Sequence, residues 1–355
     1  MDLETFSSLE ENIVLAAVLH GPRDLRIEEV EKPKVKGGNV LVEVKACGVC
    51  MTDLHMYTWE FPVKTPVILG HEFSGVIAEL GDNAAEFKVG DRVAVDPALS
   101  CGVCEACVSG RNNLCERLTA IGGAGDIIVN GAFAEYTMVP KEAVGAIPAE
   151  ISFDEGAFVE PLGCCIHGVD VSGAGIGDVV VLIGAGPIGL LLLQLIKLVG
   201  ASQVLVVDMK EERLQLAEKL GADVVVNPSK EDSAAKLKEL TRGKGANVVI
   251  EAVGSPITVR QAIQMVRKGG RVVIFGVAPV NSKVDISPFD TYFREIEIVG
   301  SYAITRDAFV RSIAMLRSER IKVEPLITER FGLSELAKAF ALMEKKEGLK
   351  KLVYP

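Results

Sequence analysis

The sequence has no excess of basic residues and no recognisable secretory signal. Its 355 residues include 38 lysines and arginines against 48 aspartates and glutamates, a formal net charge of -10. This acidic balance argues against a nucleic acid or an anionic membrane surface as a partner. The chain begins Met1-Asp2-Leu3-Glu4, without a basic segment ahead of an apolar one. We therefore expect a cytoplasmic protein whose 8 cysteines bind metal or are buried.

Charge is also absent from one long apolar stretch, Val179 to Ile196, which just reaches the length of a membrane-spanning helix. The stretch contains Gly184, Gly186, Pro187 and Gly189, which a continuous helix would not favour. We interpret it as a strand, a tight glycine turn and a buried helix, and we expect no membrane partner.

Short apolar runs separated by glycine, proline and aspartate are typical of the chain up to about residue 155. This spacing predicts a β-rich domain of barrel or sandwich type with long loops. The runs lie at Asn39–Val44, Ser74–Glu79, Arg92–Val95 and Glu135–Val139.

From about residue 178, apolar strand-like runs alternate with helical patterns such as Lys210–Leu220 and Ile257–Val266. This alternation predicts an α/β fold with a six-stranded, doubly wound parallel sheet. The end of the chain predicts helices and a terminal strand, Lys351–Val353. The predicted sheet strands lie at Val179–Ile183, Val204–Val207, Val224–Val226, Val248–Ile250, Arg271–Phe275 and Ile296–Val299.

Four cysteines, Cys101, Cys104, Cys107 and Cys115, lie within one short loop between 97 and 118. Four thiolates at this spacing indicate a closed, tetrahedral, structural zinc site. An iron–sulfur cluster is less favoured, because bacterial cluster runs place a proline after their last cysteine and Glu116 stands here. Disulfides between cysteines so close in sequence would be strained. A structural zinc does no chemistry, so the function depends on other residues.

The glycine turn Gly184-Ala185-Gly186-Pro187-Ile188-Gly189 follows a predicted strand and opens a predicted helix. Its first glycine permits the sharp turn, its second allows a pyrophosphate close to the backbone, and its third allows helix and strand to pack. The helix N-terminus then faces the phosphates. Asp208, at the end of the next strand, would accept the ribose hydroxyls of NAD and repel the 2′-phosphate of NADP, while the nearby Arg213 would soften that preference.

Three further segments contain metal-ligand chemistry: Cys50-Met51-Thr52-Asp53-Leu54-His55, Gly70-His71-Glu72 and Val159-Glu160-Pro161. A catalytic zinc takes about three protein ligands and keeps one position open. Because these segments are far apart in sequence, we expect them to meet only if the two domains face each other.

The order of these motifs resembles that of the zinc-containing medium-chain alcohol dehydrogenase family over essentially the whole chain. Glu160, where simple alcohol dehydrogenases have a cysteine, resembles the sorbitol, butanediol and threonine dehydrogenase branch. The resemblance implies a chaperonin-10-like catalytic domain over 1–160, a Rossmann domain that binds NAD over 161–302, and a return to the catalytic domain over 303–355. It also implies a homo-tetramer or a dimer.

The resemblance further implies that Cys50 and His71 are ligands of a catalytic zinc, with Glu72 and Glu160 as two nearby carboxylates, one binding directly and one through water. A zinc ion acts as a Lewis acid on an alcohol oxygen, so that hydride can leave the adjacent carbon for NAD.

The resemblance assigns a proton relay to two other residues of the first segment. Thr52 matches the hydroxyl that passes on the substrate proton, and His55 matches the outer member of the relay. A histidine, whose ordinary pKa is near neutral, suits that terminal position.

The substrate class is less specifically indicated. The segment His55-Met56-Tyr57-Thr58-Trp59 resembles threonine dehydrogenases, whereas residues 300–306 resemble butanediol dehydrogenases. An arginine that holds a sugar hydroxyl in animal sorbitol dehydrogenases is absent near Ala303, although Arg306 is a candidate substitute. We therefore expect a secondary alcohol or polyol as substrate, with L-threonine as the alternative.

Two hypotheses from other classes are a non-catalytic regulatory protein that binds NAD and a zinc-independent quinone or enoyl reductase on the same fold. The first predicts the loss of at least one of Cys50, Thr52, His55, His71 and Glu160, all of which are present. The second predicts the absence of the four-cysteine loop.

Overall fold

The computed structural model describes residues 12–123 and 127–355, and in this part of the chain eighteen strands and eleven α-helices follow one another. The chain forms two compact units. The first contains the residues up to Gly163 together with Ile304–Pro355, and the second contains Cys164–Ala303.

The first unit is rich in β-structure. Its strands are β1 (Ile13–Gly21), β2 (Asp24–Glu31), β3 (Asn39–Gly48), β4 (Val67–Ile68), β5 (Glu72–Leu80), β6 (Arg92–Val95), β7 (Ala98–Leu99), β8 (Thr119–Ala120), β9 (Tyr136–Pro140), β10 (Val144–Ala146), β17 (Ile327–Gly332) and β18 (Lys350–Tyr354). Its helices are α1 (Met51–Tyr57), α2 (Glu105–Val108), α3 (Phe153–Gly156), the start of α4 (Val159–Ser172), α10 (Arg306–Arg317) and α11 (Leu336–Glu344).

Seven of these strands form one sheet in the order β10-β6-β5-β3-β18-β17, with β9 also paired to β3. A three-stranded sheet, β2-β1-β4, and the pair β7-β8 complete the unit. A core of buried aliphatic and aromatic side chains, including Leu19, Val42, Phe73, Phe133 and Phe340, lies in this unit. The β-rich prediction for the first part of the chain is therefore confirmed.

The strands that matter most for function are the neighbours β5, β3 and β18. Gly48, the last residue of β3, pairs with Glu72 on one side and with Leu352 on the other. The start of β5, the end of β3 and the middle of β18 thus lie side by side. The predicted terminal strand is confirmed, and it brings the C-terminal segment into the same sheet as the N-terminal strands.

The second unit contains a six-stranded parallel sheet in the order β13-β12-β11-β14-β15-β16, which confirms the doubly wound prediction. Its strands are β11 (Val179–Ile183), β12 (Gln203–Val207), β13 (Val224–Val226), β14 (Ala246–Glu251), β15 (Val266–Ile274) and β16 (Glu297–Gly300). Its further helices are α5 (Pro187–Leu198), α6 (Glu211–Lys219), α7 (Ser233–Leu240), α8 (Pro256–Met265) and α9 (Pro288–Arg294).

The chain order of the strands reverses between β11 and β14, and the carboxyl ends of strands at such a reversal form the ligand crevice of open α/β sheets. The uncharged stretch Val179 to Ile196 divides into β11, the glycine turn and the largely buried helix α5, as the sequence indicated. Among the helices of the described residues, none has the length and apolar character needed to span a membrane.

Candidate functional site

The N-terminus of helix α1 holds Cys50 in place. Cys50 is the N-cap residue, with an extended backbone, and its Sγ accepts the backbone N–H of Thr52 at 3.5 Å. The Asp53 carboxylate accepts the backbone N–H of Cys50 at 2.9 Å, which completes a capping box. Both caps satisfy donors that the first helical turn leaves open. The thiol is therefore oriented by the helix that follows it.

The same carboxylate orients His71. Asp53 is fully buried, and its Oδ1 accepts the backbone N–H of Gly70 at 3.2 Å and lies 3.3 Å from His71 Nδ1. Gly70 has φ +93°, and a Cβ there would lie 2.9 Å from the Sγ of Cys47, so the loop requires glycine. An Nδ1–H directed at a buried carboxylate leaves Nε2 with the lone pair that a metal ion binds.

Opposing effects act on the protonation of His71. Burial lowers the pKa of this imidazole, but the nearby carboxylate of Asp53 and the thiolate of Cys50 raise it more, so that the pKa lies well above its ordinary value. A metal ion that binds Nε2 must displace the proton that this nitrogen carries when the imidazole is charged.

Glu72, the first residue of β5, forms a buried ion pair with Lys350, the first residue of β18. Gly48 makes room for the pair, since a Cβ there would lie 2.4 Å from the Glu72 Oε2 and 2.7 Å from the Lys350 Cε. Burial lowers the pKa of Lys350, and the negative charges of Glu72, Cys50 and Glu160 more than reverse this. Lys350 therefore stays an ammonium ion in a site with several negative groups.

Cys50, His71 and Glu72 form one group whose potential ligand atoms lie within 4.8 Å of one another. Thiolate, imidazole and carboxylate are the donors that zinc takes in proteins, so the set fits that ion. All three residues belong to the first unit. The expectation that the two domains must face each other to assemble the ligands is therefore wrong for these three.

Glu160 is the second residue of α4 and lies outside this group of three. Its negative charge nevertheless contributes to the raised pKa of Lys350. Its role as a zinc ligand stays a prediction.

Thr52 and His55 lie on α1, three residues apart and therefore on the same face of the helix. The Nδ1 of His55 contacts the Glu60 Oε2 at 2.7 Å. The ring centroids of His55 and Phe61 lie 4.9 Å apart. The proton-relay role of the two α1 residues stays a prediction.

The four cysteines of the loop between β7 and β8 converge. The Cys104 Sγ lies 3.5 Å from that of Cys107 and 3.9 Å from that of Cys115, and the Cys101 and Cys107 sulfurs lie 4.0 Å apart. A tetrahedral ion with zinc–sulfur bonds of about 2.3 Å requires sulfurs roughly 3.8 Å apart. All four are free thiols, so the geometry fits zinc and does not fit disulfides.

Backbone donors stabilise part of this cysteine cluster as thiolate. Hydrogen bonds from the backbone of Val103 and Cys104 lower the pKa of Cys101 to about 6. Burial, with a hydrogen bond to the Cys104 side chain, raises the pKa of Cys107 to about 11. A bound metal would supply the positive charge that allows all four to ionise.

In the second unit, the glycine turn has the geometry that its sequence predicted. Gly184 has φ +105°, and a Cβ on Gly189 would lie 1.9 Å from the Gly184 carbonyl oxygen. Gly186 is the N-cap residue of α5, and Pro187 follows at the first helical position, where proline is favoured. The turn therefore presents an open helix N-terminus.

Asp208 lies against this turn at the end of β12. Its carboxylate accepts the backbone N–H of Ala185 and that of Lys210, both at 2.8 Å. The Arg213 Nη1 lies 4.0 Å from where a Cβ on Gly186 would stand. A negative and a positive side chain thus flank the glycine turn on the β12 side.

Sequence reasoning missed three residues of these sites. Asp53 stands inside the first ligand segment, and its position three residues after Cys50 is the signal of a capping box. Lys350 had no local signal, because its partner is 278 residues away. Glu251, at the carboxyl end of β14, is buried and accepts the N–H groups of Val253 and Gly254, each at 2.9 Å.

The chain matches two family models, one described as alcohol dehydrogenase GroES-like domain over residues 36–149 and one as zinc-binding dehydrogenase over residues 187–318. It is 35% identical to the sorbitol dehydrogenase of Bacillus subtilis (strain 168), over 96% of this chain and 97% of that protein. It is 36% identical to the (R,R)-butanediol dehydrogenase of the same bacterium, over 96% and 99% of the two chains.

An L-threonine 3-dehydrogenase of Caldanaerobacter subterraneus is also 36% identical, over 93% of this chain and 95% of that protein. Among solved structures, a zinc-binding dehydrogenase from Sinorhizobium meliloti 1021 bound to NADP superposes with a TM-score of 0.91 at 37% identity. That similarity covers 97% of this chain and 99% of the other.

Proposed function

We propose, from the premise that this chain belongs to the zinc-containing medium-chain alcohol dehydrogenase family, that it oxidises a secondary alcohol or polyol to a ketone and transfers the hydride to NAD. The observation that carries this proposal is the group of Cys50, His71 and Glu72, with their ligand atoms within 4.8 Å of one another. The relatives named as sorbitol and butanediol dehydrogenases support a substrate with a secondary hydroxyl.

Cys50 and His71, with a carboxylate from Glu72 or Glu160, hold the catalytic zinc in this proposal. Zinc held there supplies a Lewis acid toward a substrate hydroxyl. Asp53 keeps the His71 ring in the orientation that leaves Nε2 for the metal. The ammonium group of Lys350 offsets one carboxylate charge, so that the negative charge of the protein donors does not exceed the positive charge of the ion.

The proton of the alcohol leaves through α1. The Thr52 hydroxyl accepts the substrate proton and passes its own outward, and His55 receives it at the outer end of the relay. Both roles follow from the family resemblance and from the placement of the two residues on one helix face.

Gly184, Gly186 and Gly189 allow the pyrophosphate of the cofactor to approach the N-terminus of α5. Asp208 binds the adenosine ribose and disfavours a 2′-phosphate, which makes NAD the preferred cofactor. The neighbouring Arg213 tempers this preference, and the related structure with NADP shows that both cofactors must be tested.

The cysteine loop binds a structural zinc in this proposal. We further propose a cytoplasmic homo-tetramer, or a dimer. Support comes from exposed aromatic side chains on α9, where Phe289 is 68%, Tyr292 82% and Phe293 58% exposed. Exposed aromatic clusters of this kind mark protein interfaces. The neighbouring strand β16 is an edge of its sheet.

L-threonine is the second candidate substrate, supported by the related threonine dehydrogenase. Sorbitol is less favoured, since the guanidinium of Arg306, the candidate substitute for the missing arginine, already contacts other protein groups. Its guanidinium lies 5.1 Å from the Phe309 ring centroid and 3.8 Å from the Asp96 carboxylate. This arrangement supports a small diol over a sugar alcohol.

The proposal is tested with purified protein and a panel of 2,3-butanediol, sorbitol, galactitol, L-threonine and simple secondary alcohols, with the absorbance of reduced NAD as the readout. We expect about two zinc ions per chain and turnover of at least one panel member. Cys50→Ser should abolish turnover while NAD binding stays nearly intact. A chain without zinc, or one inactive with the whole panel, contradicts the proposal.

A further inference from the structure

We propose that Glu60 is a positioning residue for proton transfer, acting through His55, an inference that rests on the proposed dehydrogenase function. The Glu60 Oε2 lies 2.7 Å from the His55 Nδ1. This separation is that of a charge-assisted hydrogen bond rather than of a loose surface contact.

The backbone after α1 is shaped to bring Glu60 back onto the histidine. Trp59 adopts a left-handed conformation with φ 69°, which turns the chain at the helix end. The backbone N–H of Phe61 then donates to the His55 carbonyl oxygen at 3.1 Å, and the Phe61 ring packs against the imidazole. The Thr58 hydroxyl also donates to that carbonyl oxygen, at 3.4 Å. The histidine is thus held by several separate contacts from one turn.

The contact determines which ring nitrogen can accept a proton. When the Nδ1–H donates to a carboxylate, the Nε2 carries the lone pair. Asp53, the acidic residue of α1 itself, is fully buried and bonded to Cys50, Gly70 and His71, so it does not compete for this role.

The imidazole of His55 also lies beside groups of opposite polarity. His55 lies in the last turn of α1, where the helix dipole favours positive charge, and it faces the Glu60 carboxylate. His55 accepts one proton at Nε2 and later releases that same proton to water. The Nδ1 proton stays hydrogen-bonded to the Glu60 carboxylate. The side chain of His55 is 21% exposed and that of Glu60 62%, so water reaches the pair.

The variants that test this are Glu60→Ala and Glu60→Gln, with Glu28→Gln as a matched control. Glu28 pairs with His20 at 2.9 Å in a similar histidine–carboxylate contact on the β1-β2 hairpin. We expect Glu60→Ala to lower kcat by about tenfold, less than the roughly hundredfold or more that a general acid or base itself contributes. Glu60→Gln, which keeps a hydrogen-bond acceptor, should lose less, and Glu28→Gln should match the parent.

Two further readouts separate positioning of a proton acceptor from a structural role. Sodium formate should restore part of the kcat of Glu60→Ala, whereas sodium chloride at the same ionic strength should not. The solvent deuterium isotope effect on kcat should rise in Glu60→Ala, because proton transfer becomes more limiting. The Kd for reduced NAD, the zinc content and the melting temperature should stay at the parent values.

A double-mutant cycle with His55→Ala decides whether Glu60 acts on kcat through His55. If Glu60 acts through the histidine, adding Glu60→Ala to His55→Ala should cost nothing more. The inference is overturned if the two losses multiply, or if Glu60→Ala has the kcat and the isotope effect of the parent. A parent protein that reduces no NAD with any alcohol overturns the dehydrogenase proposal instead, and this inference with it.

Discussion

The ammonium group of Lys350 donates a hydrogen bond to the Glu72 carboxylate, although 278 residues separate them in sequence. Both side chains are almost fully buried, with exposed fractions of 6% and 3%. The pair joins the last strand of the chain to the strand that follows His71, beside the proposed zinc ligands. The C-terminal segment is therefore part of the electrostatics of the candidate metal centre.

Lys350→Met should destabilise the protein by about 3 kcal/mol, because it leaves a buried carboxylate without its partner. For a domain of this size that corresponds to a fall in melting temperature of roughly 6 to 12 °C. The matched control is Lys34→Met, which removes an exposed ion pair with Glu31 and should leave the melting temperature nearly unchanged. Equal melting temperatures for the two variants would remove the structural role given to Lys350.

Cys104→Ser should reduce the zinc content from about two ions per chain to about one and should lower the melting temperature or disrupt assembly. The reason is that three thiolates bind zinc less tightly than a closed set of four. The measurements are metal analysis by mass spectrometry and thermal unfolding. Cys164→Ser, outside both metal groups, serves as the control and should keep two ions. An unchanged melting point in Cys104→Ser would count against a structural zinc.

Asp208→Ala should raise the KM for NAD by about tenfold, because one charge-assisted hydrogen bond to the ribose is lost. It should also narrow the preference for NAD over NADP, because the repulsion of the 2′-phosphate is lost. Asp208→Asn separates the two effects. It loses the charge but keeps one of the two side-chain oxygens, so one of the backbone N–H groups of Ala185 and Lys210 retains its acceptor. The measurement is the ratio of kcat/KM for the two cofactors. A parent enzyme that uses both equally would contradict the discrimination given to Asp208.

Asp96 provides a pH dependence of stability with a definite sign. Burial raises its pKa from 3.8 to about 6, against the opposing hydrogen bond from Ala98 and the charge of Arg306. The folded state therefore binds its proton more tightly than the unfolded state does. The free energy of unfolding therefore falls by about 3 kcal/mol as the pH rises from about 4 to about 6.

Asp96→Asn replaces the carboxyl group with one that cannot ionise. The free energy of unfolding of the variant, compared with that of the parent at the same pH, should therefore rise by about the same amount from pH 4 to pH 8. Thermal unfolding of both proteins at the two pH values measures the change. Asp82→Asn, on an exposed turn, is the control and should show no such change. A difference between Asp96→Asn and the parent that is the same at both pH values would show that Asp96 does not titrate in this range.

The local motifs could be interpreted from the sequence because their chemistry depends on neighbours along the chain. The turn from Gly184 to Gly189 needs a strand before it and a helix after it, and both are encoded within the same stretch. The four cysteines lie on one loop, so their spacing alone indicates a common ion. The alternation of strands and helices after residue 178 likewise predicted the six-stranded sheet.

Other features of the site had no such local signal. The contact of Glu60 with His55 depends on the left-handed turn at Trp59, which residue type alone does not predict. The expectation that the ligands assemble only between two domains was wrong, because β3 and β5 lie side by side in one sheet and bring Cys50, His71 and Glu72 together.

The sequence by itself determined the family, the fold class, the nucleotide-binding turn and the residue types available to two metal ions. The tertiary structure decided which charges neighbour the proposed zinc ligands. Asp53 reaches His71 across a loop, and Lys350 reaches Glu72 through the pairing of β18 with β3. The physical reason is that a buried charge is stable only beside a partner, and strand pairing, not proximity in sequence, supplies that partner.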